Sequence, residues 1–130
     1  MRLFVDTNVL IASATDEPAR GETATRLLNL DHDFCTSLIN LMELRTVLTK
    51  KKRVEQERVE ALERRITDGL DLIVPDASDM VRAHRHQREA LLYPLDAILL
   101  ACAENQDAEL VSFDAEVVDN GGAHPDEILG

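Results

Sequence analysis

The sequence predicts a three-layer α/β/α fold built on a mostly parallel central sheet of four to five strands. Three observations carry that expectation. Short apolar, strand-like segments alternate along the chain with segments of helical period, the pattern that generates a parallel sheet covered on both faces. Two of those strands, the first and the last clear one, stop at an aspartate, Asp6 and Asp114. Finally, 130 residues with 45% hydrophobic content suit one domain over residues 1–130 with a core of modest size.

Taken in order, Arg2 to Val5 is a short apolar strand, and Thr7 or Asn8 suits the cap of a helix running through Val9, Leu10 and Ile11. Thr15 to Pro18 breaks the pattern. Ala19 to Leu30 reads as a helix, with Ala24, Leu27 and Leu28 on one side, and Asp33 to Thr36 is a weaker strand. Ser37 offers an N-cap for an apolar helix reaching about Lys51, where Lys50-Lys51-Lys52-Arg53 complements the negative end of the helix dipole. A charged helix follows from about Val54 to Asp68 and stops at Gly69. Its narrow stripe is Val59, Leu62 and Ile66.

Leu70 to Val74 reads as a strand closed by Pro75, after which Asp76 or Ser78 caps a helix extending to Leu92. Tyr93-Pro94 marks a boundary, because the residue before proline avoids the helical region while proline suits a first helical turn. Leu95, Ile98, Leu99, Cys102 and Ala103 then recur at the spacing of a buried helical face. Glu109 to Phe113 is the last clear strand. Val117 and Val118 suit a short helix, and the glycine- and proline-containing tail is loop-like, with Glu127 to Leu129 expected as a short edge strand.

Charge is the most distinctive property of the composition: 25 acids against 14 bases give a net charge of -11. Only Lys50, Lys51 and Lys52 are lysines. Such a surface suits a high-salt, halophilic cytoplasm, in which screening shortens to ~3 Å at 1 M salt. Net acidity disfavours nonspecific nucleic-acid binding but leaves room for a local basic groove or a metal-mediated phosphate contact. No apolar run approaches the ~20 residues that cross a bilayer, and the N-terminal residues lack the pattern of a signal segment, so a cytoplasmic location is expected. Cys35 and Cys102 fall inside predicted elements and read as small buried hydrophobes rather than as a disulfide.

Four acids occupy surroundings too apolar for ordinary surface residues. Asp6 lies between two apolar segments, Glu43 shares a helix face with Ile39 and Val47, Asp96 lies in a first helical turn beside an apolar stripe, and Asp114 ends a strand as Asp6 does. A buried carboxylate is costly unless paired, protonated or bound to a cation. Ligands in parallel sheets bind beyond the carboxyl ends of strands, where strand order reverses, so adjacent first and fourth strands would bring Asp6 and Asp114 together. Helix capping explains Asp6 or Asp114 taken singly, and the helix dipole explains Asp96. Clustered without a cation, the four would repel one another. Magnesium and manganese prefer oxygen donors, often one or two carboxylates with the other acids holding waters. Direct ligation is expected from Asp6 and one of Asp96 or Asp114, with Glu43 and the remaining acid acting through water.

The string Phe4-Val5-Asp6-Thr7-Asn8-Val9-Leu10, the helix of Thr36-Ser37 through Glu43-Leu44, Pro94-Leu95-Asp96-Ala97 and Leu110-Val111-Ser112-Phe113-Asp114 together resemble a PIN domain. More narrowly, the chain resembles the VapC toxins of toxin–antitoxin pairs. The resemblance implies a three-layer PIN-like fold, a Mg2+- or Mn2+-dependent ribonuclease that cleaves single-stranded RNA to leave a 5′-phosphate, and a small antitoxin protein as partner. It places catalytic acids at Asp6, Glu43, Asp96 and Asp114, with metal contact through Asp6, Asp96 and Asp114, and supporting roles at Asn8 and Ser112. Asp119 ranks lower as an additional acid.

A rival expectation is a catalytically idle PIN-like domain whose acids pair with a partner's arginine or which merely binds protein or RNA. A phospho-accepting receiver also carries acids at strand ends, but it requires a lysine near its late strands, and none is there. An aspartyl phosphatase would need a second aspartate within Asp6-Thr7-Asn8. The His84-Arg85-His86 cluster reads as a solvated helix, because residues two apart face different directions. Arg82, Arg85, Arg88 and the Lys50–Arg53 run suit either an RNA path or surface ion pairs. The apolar stripes of the Ala19–Leu30 and Val54–Asp68 helices suit a homodimer contact, an antitoxin segment or core packing equally well.

Overall fold

The computed structural model describes residues 1–130. Its sheet has four parallel strands in the order β3-β2-β1-β4, formed by β1 (Arg2–Val5), β2 (Asp33–Ser37), β3 (Asp71–Ile73) and β4 (Glu109–Val111). The sheet is therefore entirely parallel rather than mostly so. Chain order steps outward from β1 to β3 and then crosses to the other side of β1. The reversal falls between β1 and β4, where Val5 is in register with Val111. This is the adjacency that brings the ends carrying Asp6 and Asp114 side by side.

Alternation along the strands separates two apolar layers. Leu3 and Val5 face a core made with Phe34 and Val111 and with helices α1 (Thr7–Ala14), α2 (Arg20–Leu28), α3 (Leu38–Thr46) and α4 (Gln56–Gly69). Phe4, Cys35 and Leu110 face the opposite layer, made with α5 (Ala77–Ala90) and α6 (Pro94–Asn105). Burying Phe4 completely stabilises the fold by about 2–3 kcal/mol. Ala24, Leu27 and Val59 belong to the first core, with Leu28, Leu62 and Ile66 packed against it, so core packing accounts for the stripes of α2 and α4. Both cysteines are buried and free.

Local chemistry sets the element boundaries. Ser37 opens α3 through a capping box, accepting from the Asn40 N–H while the Asn40 side chain accepts from Ser37 N. That helix does not end at Thr46 but continues as a π-helical turn, Val47–Lys51. Neither Thr7 nor Asn8 caps α1; the cap is Asp6 itself. Pro94 occupies the first turn of α6, as proline's fixed φ favours.

The tail corrects the sequence expectation most clearly. Residues 127 to 129 are not an edge strand but part of α8 (Pro125–Leu129), which His124 caps and Pro125 begins. The position beside β4 is taken instead by Ala123, whose N–H donates to Leu110 O at 2.7 Å and whose carbonyl accepts from Ser112 N at 3.0 Å. This bridge follows the short α7 (Ala115–Asp119). No helix is long and apolar enough to cross a membrane.

Candidate functional site

Asp6 leaves β1 at its carboxyl end, only 7% exposed, and every oxygen of its carboxylate is held. Oδ1 accepts the Thr7 N–H at 2.7 Å and a longer bond from Asn40 Nδ2 at 3.4 Å, and Oδ2 accepts the Ser112 hydroxyl at 2.8 Å. Three elements thus hold one side chain. Ser112 is fully buried; its oxygen also accepts from Asn8 Nδ2 and from Asp114 N, both at 3.0 Å. Asn8 completes the link by accepting the Phe113 N–H at 3.1 Å on Oδ1. The ends of β1 and β4 are therefore locked by a polar network through the two supporting residues expected from sequence.

Burial raises the Asp6 carboxyl to about 6, against the hydrogen bonds from Ser112 and Thr7, which lower it; the charges of Glu43 and Asp96 raise it further. Asp96, in the first turn of α6, is half-buried and also raised. Burial is the largest cause, followed by the charges of Asp114, Glu116 and Glu43. Asp96 therefore feels charges carried by α3 and α7, and it acts in turn on Asp6 at the end of β1. Repulsion thus links Asp6, Glu43 and Asp96 with one another, and Asp114 to them through Asp96.

Their environments differ from the sequence picture in detail. Glu43 is half-buried rather than enclosed, because its neighbour Met42 is 62% exposed and Ile39 and Val47 are half-buried. Asp114 is exposed and caps α7, accepting the Glu116 N–H at 3.0 Å. Capping is thus real at both Asp6 and Asp114, and each retains oxygen lone pairs beyond those bonds. The additional acid acting on Asp96 is Glu116, while Asp119 is exposed on the last turn of α7.

Asn40 is the residue that sequence reasoning passed over. It is 1% exposed, and besides reaching Asp6 its amide donates to Thr7 Oγ1 at 2.9 Å while its oxygen accepts the Ser37 hydroxyl at 2.6 Å. The available signal was an amide inside an apolar helix, three residues from Glu43.

No three Asp, Glu, His or Cys side chains are gathered closely enough to ligate one ion among themselves. The donor set nevertheless fits a hard divalent cation: it is all oxygen, and Asp6 and Asp96 are raised by burial and by like charge that such an ion would offset. One or two direct carboxylate contacts with water-mediated support match the preference of magnesium. Away from this set, Arg82 pairs with Glu104, which His86 also contacts, so the middle of α5 is engaged with α6.

A parallel α/β fold with an acidic crevice at the reversal of strand order defines a class of domains that hosts several chemistries, and comparison with known proteins narrows it. The chain matches the PIN domain family over residues 3–122 and belongs to that family. Its structure is similar to a toxin–antitoxin complex from Klebsiella pneumoniae, with a TM-score of 0.74 and 26% identity, covering 95% of this chain and 97% of the other. It also resembles VapC20 of Mycobacterium tuberculosis, a sarcin-ricin loop cleaving toxin, with a TM-score of 0.77, 23% identity and coverage of 93% and 96%. DNA-bound VapBC from Salmonella typhimurium gives a TM-score of 0.74 at 21% identity, with coverage of 95% and 96%. No curated protein matches the sequence significantly.

Proposed function

We propose that this protein is a divalent-metal-dependent endoribonuclease acting on single-stranded RNA, and the toxin of a toxin–antitoxin pair. What supports the reading is that the charges of Glu43 and Asp96 act on Asp6, and those of Glu43 and Asp114 on Asp96, beside the β1/β4 reversal of strand order, with Asp6 raised to about 6. Membership of the PIN family and the likeness to toxin structures support it. A bound Mg2+ or Mn2+ would neutralise charge on the scissile phosphate and lower the pKa of a water.

In this reading Asp6 and one of Asp96 or Asp114 hold the ion directly, and Glu43 and the remaining acid hold waters. Ser112, Thr7 and Asn40 fix the Asp6 oxygens so that little reorganisation accompanies binding. Asn8 holds Ser112 and the Phe113 backbone, and so keeps the two strand ends in register. Glu43, half-buried and with its charge acting on both Asp6 and Asp96, would hold and orient a water at the site.

A small antitoxin protein as partner, self-association as a homodimer and a cytoplasmic location belong to the same proposal. Incubation of single-stranded RNA with the protein at high salt, in Mg2+, in Mn2+ and in chelator, tests the activity. Cleavage with either ion and none with chelator is expected. Cleavage unaffected by chelator, or RNA left intact under all three conditions, would overturn the reading, the latter in favour of an idle interaction domain.

A further inference from the structure

The candidate site is strongly negative, and Glu116 adds to the four acids, so an approaching phosphodiester backbone meets repulsion. A cation placed beside the crevice would offset that repulsion at one substrate phosphate. Arg20, on the first turn of α2, is held by the chain itself over Phe113, the residue that precedes Asp114. Its Cζ lies 4.7 Å from the centroid of the Phe113 ring. Phe113 is a fixed platform: the residue is 8% exposed, its backbone N–H is bound by Asn8, and its ring meets His124 in a T-shaped contact at 5.4 Å.

Stacking on an aromatic ring orients a guanidinium without consuming its N–H donors. Arg20 is exposed and makes no ion pair, although the chain carries 25 acids. Of the eleven arginines only Arg2, Arg45 and Arg82 are engaged by carboxylates, and what sets Arg20 apart from the other unpaired ones is its stacking on Phe113. The close crossing of α1 and α2 helps to set this placement, because a Cβ on Gly21 would meet the Asp16 backbone at 2.8 Å and Ala12 O at 3.0 Å.

We infer that Arg20, stacked on Phe113, binds a backbone phosphate of single-stranded RNA adjacent to the carboxylate crevice. The inference rests on the nuclease reading for its substrate. Arg20 binds and orients; the acids carry the chemistry. A planar fork with free donors matches two non-bridging phosphate oxygens, a geometry that a lysine does not reproduce.

The test measures affinity for a fluorescent single-stranded RNA by anisotropy across a salt series, in an Asp96→Asn background that suppresses cleavage, and cleavage kinetics in the otherwise unaltered protein. Arg20→Ala is expected to weaken binding about tenfold, the loss of one exposed charge-assisted hydrogen-bonding group. It should also flatten the slope of log affinity against log salt by about 0.7, one phosphate contact to a single strand. Arg20→Lys should restore the salt slope but only part of the affinity. In the cleavage assay Arg20→Ala should raise KM and leave kcat within about twofold, the pattern of lost uniform binding. Wild-type cleavage together with an unchanged salt slope and KM in Arg20→Ala overturns the inference while the nuclease reading stands. Arg20-dependent binding with no wild-type cleavage in Mg2+ or Mn2+ supports the contact and overturns the nuclease reading. RNA neither bound nor cut overturns both.

Discussion

Asp6 is a carboxylate that the fold holds firmly and ionises reluctantly. Its folded value of about 6 lies above the ordinary 3.8, so between those two values the native state binds more protons than the unfolded chain. Stability must then fall as pH rises from about 4 to 6 and level off above, by about 3 kcal/mol at most for a two-unit shift. Thermal denaturation in chelator from pH 4 to 8 should show that decline in the wild type and a flatter profile in Asp6→Asn; superimposable profiles would contradict the assignment. Mn2+ should raise the melting temperature more at pH 8 than at pH 5, where the ion competes with a proton on Asp6. Asn40 is the other decisive residue. Its truncation in Asn40→Ala removes the buried side-chain bonds to Ser37, Thr7 and Asp6, leaving those groups only their backbone or other partners, and should cost about 2 kcal/mol, measured by denaturant unfolding.

At the scale of elements, the site depends on how few contacts fix its parts. The α1–α2 crossing closes on Gly21, where an added methyl would press on backbone atoms that cannot move independently. Gly21→Ala should therefore destabilise the fold by roughly 1–3 kcal/mol, readable as a shift in the denaturation midpoint. The elements legible in the sequence are those whose residues declare themselves locally: the apolar β1, the Ser37-capped α3, and α6 behind Tyr93-Pro94. Where the sequence misled, local helix signals decided one case and position in the sheet the other. Residues 127 to 129 alternate too little to be told from helix, and Pro125 with two acids in the first turn tips them into α8. Leu70 to Val74 shortened to Asp71–Ile73 because β3 is an edge strand, with Leu72 and Val74 exposed. Each of the four acids stood out by its own apolar surroundings. Asn40 offered only an amide inside an apolar helix, and Glu116 no such signal, because their ties to Asp6 and to Asp96 exist only once α3 meets the end of β1 and α7 approaches α6.

Across the whole molecule, a net charge of -11 on 130 residues works against compaction and against any polyanionic substrate. Salt shortens the reach of that repulsion from about 10 Å at 0.1 M to about 3 Å at 1 M. The melting temperature should accordingly rise between dilute buffer and molar potassium chloride, and equal stability in both would remove the case for a halophilic surface. In the proposed reading a bound cation offsets the same repulsion within the acidic crevice. The measurement that bears most directly on that claim is the rate of single-stranded RNA cleavage in Mn2+ by wild type and by Asp6→Asn, both shown to be folded. The account predicts a loss of at least about a hundredfold in kcat, the scale of removing one preorganised charge contact. Undiminished cleavage by Asp6→Asn would place the chemistry elsewhere in the molecule.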